Sequence, residues 1–127
     1  MYELYNATAG NVVDFDCVEF NILLGFGVSI SRKMKINLGI PKLNSDVLSQ
    51  KALRCMIILL GGGKKVLLEL CINDAYVSVY VVRKANPQFM ITIGGITVLD
   101  VNAVMKELYQ KEFSAEYLVE NILKIDK

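Results

Sequence analysis

Apolar and polar residues alternate with a period of two through the first third of the chain. Val18, Phe20, Ile22 and Leu24 alternate with Glu19, Asn21 and Leu23, which predicts a half-buried strand. Gly25-Phe26-Gly27 supplies a turn with permissive backbone. Val28, Ile30, Met34, Ile36 and Leu38 then resume the alternation through Ser29, Ser31, Lys33, Lys35 and Asn37. The two runs predict a long hairpin whose return strand carries basic residues on its polar side. Pro41 ends that strand, and Asn44 or Ser45 can cap a helix in which Leu48, Ala52, Cys55, Met56 and Leu59 recur at helical spacing. Gly61-Gly62-Gly63 follows the helix, not a strand, and lacks the GxxxxGK[ST] order, so it reads as a helix stop and not a phosphate loop.

Beyond the glycines the period returns to two. Val66–Cys71 and Tyr76–Val82 read as strands separated by the turn residues Asn73-Asp74. Phe89–Ile93 and Ile96–Val98 form a small hairpin around Gly94-Gly95. Asp100 caps a helix running to about Tyr109, and Ser114 caps a last one with Leu118, Ile122 and Ile125 on one side. Three strands, a helix, further strands and two helices predict an α+β fold and not a doubly wound sheet. A helix between the third and fourth of five short strands is the connectivity of an OB-type β-barrel. With no repeat or linker, residues 1–127 read as a single domain with about three helices.

Composition narrows the chemistry. A hydrophobic fraction of 54% excludes disorder, and no apolar run approaches the roughly 20 residues of a membrane span. The first sixteen residues hold three acids and no base, unlike a signal peptide. Cys17, Cys55 and Cys71 are odd in number and widely spaced, so neither a disulfide framework nor a metal motif is expected. These features point to a reduced, cytoplasmic chain. Without histidine, the common triads and His-based zinc sites are excluded. The net charge of +1 conceals a segregation. Residues 1–31 carry Glu3, Asp14, Asp16 and Glu19 and no base. Residues 32–65 carry Arg32, Lys33, Lys35, Lys42, Lys51, Arg54, Lys64 and Lys65 against Asp46 alone. A basic middle third suits a polyanion, although a solvated surface gives the same run of charge.

Val12-Val13-Asp14-Phe15-Asp16-Cys17-Val18, followed by Leu24-Gly25-Phe26, resembles the opening of the staphylococcal-nuclease-like (thermonuclease) family. There a strand ends in Val-Asp-Gly-Asp-Thr-Val, and some members have a later Leu-Gly-Phe turn. Arg32-Lys33-Met34-Lys35-Ile36-Asn37 is similar to that family's third strand. Gly39-Ile40-Pro41-Lys42 resembles a shortened form of its Gly-Ile-Asp-x-Pro-Glu element, and Val101-Asn102-Ala103 before Leu108 resembles its Val-Asn-x-x-Leu helix. The likeness runs over roughly residues 8–117.

The resemblance implies an OB fold and calcium-dependent phosphodiester hydrolysis. In that chemistry two aspartates hold the metal, a glutamate assists water and two arginines stabilise the transition state. Asp16 matches the first aspartate, but Phe15 and Cys17 replace its glycine and threonine neighbours, and Lys35 stands where the first arginine is expected. Ile40 runs directly into Pro41, leaving no second aspartate, and Lys42 replaces the glutamate. Asn73-Asp74-Ala75-Tyr76-Val77 contains neither the Tyr-Gly pair nor the second arginine. Calcium wants six to eight oxygen ligands, and a lysine does not reproduce a bidentate arginine. Losing one transition-state donor alone costs about 10²–10³ in rate.

The expectation is therefore a non-catalytic module, a pseudo-nuclease, with no cofactor, no metal and a vestigial site at Asp16, Lys35 and Lys42. Nucleic acid would be bound by Arg32, Lys33, Lys35, Lys42, Lys64 and Lys65, with Tyr76 or Tyr80 stacking on bases. Tyr80 within Ser78-Val79-Tyr80-Val81 reads more readily as packing. Two other readings stay open. One is a protein-interaction or inhibitor domain, by analogy a phage protein, using apolar surface at Met1–Leu4, Phe89–Ile93 and the last helix. The other is a metal-dependent nuclease with an atypical site at Asp14 and Asp16, two apart and on one face if extended, with Glu19 joining through a bulge. The partner is thus nucleic acid or a protein, with no membrane, and a homo-oligomer is left open.

Overall fold

The computed structural model describes residues 2–71 and 76–124. Its strands are β1 (Tyr2–Asp14), β2 (Cys17–Gly25), β3 (Val28–Ile36), β4 (Lys65–Cys71), β5 (Tyr76–Val81), β6 (Met90–Ile93) and β7 (Ile96–Asp100). The helices are α1 (Asp46–Leu60), α2 (Val101–Gln110) and a one-turn α3 (Ala115–Tyr117) that passes into a π-helical turn, Leu118–Leu123. β1 pairs antiparallel with both β2 and β4, β2 with β3, and β4 with β5. A short parallel pairing of β3 with β5, Lys35 opposite Tyr76 and Ile36 opposite Val77, closes the ring. The result is a five-stranded mixed barrel of OB type in an α+β chain, as the strand order predicts. The expected turn at Asn73-Asp74 lies outside the described residues.

Closure requires β1 to bend. Its register against β2 shifts between Ala9 and Val12 and again before Asp14, so an irregular stretch increases the curl of the longest strand. Gly10 sits at that bend. A Cβ there would stand 3.2 Å from the Glu19 carbonyl oxygen, closer than a side chain comfortably allows.

The barrel is filled by period-two residues: Val18, Phe20 and Ile22 from β2, Val66 and Leu68 from β4, and Val77, Val79 and Val81 from β5. Ala52, Cys55, Met56 and Leu59 of α1, together with Val104, Met105 and Leu108 of α2, join them in one core. β6 and β7 form the expected hairpin, hung from the edge of β5 by Tyr80 opposite Asp100 and Val81 opposite Leu99. Beneath it a small second cluster of Leu67, Tyr80 and Val98 buries the outer side of the barrel. Tyr80 is therefore a packing residue. Its hydroxyl donates to Glu69 at 3.1 Å, and burial, with Glu69 beside it, pushes its pKa up to about 12.

Helix ends follow the sequence signals at three positions. Ser45 accepts from the Leu48 N–H, Asp100 from the N–H groups of Asn102 and Ala103, and Ser114 from that of Tyr117. Gly61 ends α1 in an extended conformation. The last helix departs from expectation by widening into the π turn after one α-helical turn, and Ile125 lies outside the described residues. The preceding loop tethers the end of this turn. Asn86 donates through its backbone to the Ile122 carbonyl and through its side chain to that of Asn121, and Arg83 reaches the Leu123 carbonyl. These donors satisfy carbonyls of the helix's last turn, while Leu118 and Ile122 both stay buried. Phe89 belongs to a 3₁₀ turn, Pro87–Phe89, and is buried, so it adds nothing to the apolar surface expected there. No described helix is long and apolar enough to cross a membrane.

Candidate functional site: a charged cleft at the β3–β5 closure

The parallel pairing that closes the barrel also builds a cleft of about 500 Å³. Phe15 and Asp16 form the two-residue turn between β1 and β2, with Asp14 opposite Cys17. The Ile36 N–H donates to the Asp16 carbonyl at 2.8 Å, which fixes the turn beside the end of β3. Lys35 pairs with Cys17 on one side and with Tyr76 on the other, and the Asn37 N–H donates to Val77. The wall opposite is the segment 37–43, with Leu38 buried beneath it. The Asn102 side-chain amide donates to the Asn37 carbonyl. Gly39, at φ 65°, lets the Lys106 stem pass where a Cβ would come within 2.8 Å of Lys106 Cε.

Asp14, Asp16, Lys35, Lys42 and Tyr76 thus line one cleft, although the sequence separates them by more than sixty positions. The three vestigial positions, Asp16, Lys35 and Lys42, are together. Asp14 and Asp16 are not in an extended segment, because the chain reverses at Phe15-Asp16. They share the cleft by virtue of the turn, and one Asp14 carboxylate oxygen already accepts the Phe15 N–H at 2.8 Å. Among the described residues that line it, two carboxylates and two ammonium groups balance in formal charge.

Positive charge extends from the cleft along β3, and Lys106 borders the opposite wall at Gly39. Lys33 lies two residues from Lys35 and so on the same side of β3, with Glu19 its cross-strand neighbour. Arg32 projects from the opposite side and is exposed. Lys64 and Lys65 are elsewhere. β4 begins at Lys65, opposite Thr8, and its far end lies beside the start of β5, so these two lysines are six strand positions, roughly 20 Å, from Tyr76. Lys64 also donates to the Gly61 carbonyl at 3.1 Å. The basic middle third is therefore divided between two ends of the barrel.

The described side chains of the cleft are a poor donor set for calcium. Among the described residues no group of three or more acidic or cysteine side chains is placed to hold a metal ion. The two carboxylates in the cleft face Lys35 and Lys42, whose charges oppose a cation. Cys55 is buried and remote from this chemistry; burial pushes its thiol up to about 11, and it donates to the Phe113 carbonyl.

Sequence reasoning named Lys42 on the cleft's second wall but missed that wall's supports, Asn102 and Lys106. Asn102 was legible only as part of a helix motif, and Lys106 carried no signal beyond its charge. An OB-type barrel with a charge-balanced cleft at its β3–β5 closure is the class that fold and site define. No family model, curated protein or solved structure matches the chain.

Proposed function

We propose that this chain is a non-catalytic OB-fold module that binds nucleic acid along β3. The observation that carries the reading is the alignment of Lys33 and Lys35 on one face of β3, running into a cleft that also holds Lys42 and Tyr76. A single strand lying there would place phosphates along the lysines and a base at the exposed Tyr76 ring. Asp14 and Asp16, on the β1–β2 turn that lines the cleft, repel phosphate, which favours a path over β3. The resemblance to the nuclease-like family supplies the rest of the argument. Asp16, Lys35 and Lys42 occupy that family's catalytic positions, two of them with the wrong charge or geometry for catalysis.

Fluorescence anisotropy with single-stranded DNA and RNA tests the reading. Lys33→Glu with Lys35→Glu is expected to weaken binding at least about tenfold, since each phosphate contact contributes to counterion release. Lys64→Glu, at the other end of the barrel, is expected to leave affinity nearly unchanged. Equal losses from both would disprove the β3 path.

A further inference from the structure

Beyond Ile22 the β2–β3 hairpin leaves the barrel as a free arm. β1 accompanies β2 only as far as Ile22, and β5 pairs with β3 only at Lys35 and Ile36. Among the described residues nothing pairs with the outer edge of β3 over Val28–Met34. The arm is also unusually apolar for a free element. Leu23, Leu24, Val28 and Ile30 are exposed, and Phe26 at the apex is fully so. Residues 20–31 contain no charged side chain and no proline. Natural sheets protect such edges with charges, prolines or a covering segment. Here the first charges on the return strand are Arg32 and Lys33.

We propose that this edge is covered by a second copy of the chain, through antiparallel β3–β3 pairing about a twofold axis at Ile30. A strand edge can pair with itself in this way because the interface is isologous. Ile30 would face Ile30 of the partner copy, and Ser29 would face Ser31. Val28 would lie beside the aliphatic stem of Arg32, and the Phe26 apex would come alongside the half-buried Met34. This register keeps the apolar side of one arm with the apolar side of the other, which a shift by a single residue in one strand would not.

Charge selects it further. Arg32 of each copy is held four strand positions, about 13 Å, from its counterpart, beyond the screening length of about 8 Å at physiological ionic strength. Moving the axis to Ser31 halves that separation. The polar side of β3, with Lys33, stays open in the pair, so the inference is independent of the proposed nucleic-acid site.

Sedimentation velocity from micromolar to millimolar protein tests it. The wild-type chain is expected to dimerise, and Ile30→Lys, which sets two like charges face to face on the axis, is expected to be monomeric with an unchanged circular dichroism spectrum. Ile30 lies outside both core clusters, so this variant keeps its fold. Ile30→Cys is expected to give a reducible dimer on mild oxidation, because facing antiparallel residues have Cα atoms about 4.5–5.5 Å apart, within disulfide reach. Val47→Cys, exposed on α1, is expected not to. A monomeric wild type at every concentration, or a dimer unaffected by Ile30→Lys, overturns the proposal. So does a monomer whose oligonucleotide binding is abolished by Ile30→Lys, since nucleic acid would then be the occupant. Oligonucleotide binding that survives in a monomeric Ile30→Lys chain supports the assignment of the arm to self-association.

Discussion

At the end of α2 two consecutive non-glycine residues, Glu112 (φ 54°) and Phe113 (φ 53°), adopt left-handed backbone. The Phe113 N–H donates to Leu108 at 2.7 Å and the Glu112 N–H to Tyr109 at 3.3 Å, the paired bonds of a Schellman cap whose left-handed position glycine usually fills. Burial of Phe113 in the core holds the turn in place despite the strain. Because a left-handed L-residue costs about 1–2 kcal/mol, Glu112→Gly is expected to raise stability by about 1 kcal/mol, read as a higher midpoint in urea. A lowered midpoint would mean that Glu112 contributes something the cap geometry does not account for.

Cys55 gives a second test at the same scale. Its folded pKa is raised to about 11 from 9.0, so its contribution is intact below pH 9 and is lost as pH climbs through 11. Tyr80, raised to about 12 from 10.0, acts in the same direction and somewhat higher. Denaturant midpoints are therefore expected to be flat near neutrality and to fall above pH 9 by about 2–3 kcal/mol in unfolding free energy from Cys55, with a smaller fall in Cys55→Ala. An alkaline limb of equal size in that variant would assign the effect to other groups.

At the level of elements, the sequence is most informative where one face is buried. The alternation of Val18, Phe20 and Ile22, the helical spacing of Ala52, Cys55, Met56 and Leu59, and the caps at Ser45, Asp100 and Ser114 each report a local rule that the fold obeys. The end of the last helix was not legible, because the donors that tether it, Asn86 and Arg83, lie more than thirty positions upstream. The free arm was not legible either. Val28 and Ile30 continue the pattern of Met34 and Ile36, and only the point at which β1 and β5 stop pairing distinguishes covered residues from exposed ones. For the same reason Arg32 and Lys33 read as one basic cluster although they lie on opposite faces. The dimer test at Ile30 belongs to this scale. As a companion, Phe26→Ser is expected to leave thermal stability nearly unchanged while weakening association, since Phe26 buries nothing within one chain.

For the whole molecule, the barrel closure and the cleft are a single event. Pairing Lys35 with Tyr76 both completes the ring and brings the β1–β2 turn to the segment 37–43. The resemblance already grouped Asp16, Lys35 and Lys42 as one site, whereas the place of Tyr76 beside them depends on topology, and the same topology removes Lys64 and Lys65. The central claim is that this surface binds nucleic acid and does not cut it. One titration tests it most directly: labelled single-stranded oligonucleotide against the protein at rising salt, with the strand's integrity read in the same samples containing Ca²⁺, Mg²⁺ or Mn²⁺. Three phosphate contacts, from Lys33, Lys35 and Lys42, predict a log–log salt slope of about −2 with the strand intact. Salt-insensitive or undetectable binding, or metal-dependent cleavage abolished by Asp16→Ala, would contradict the account.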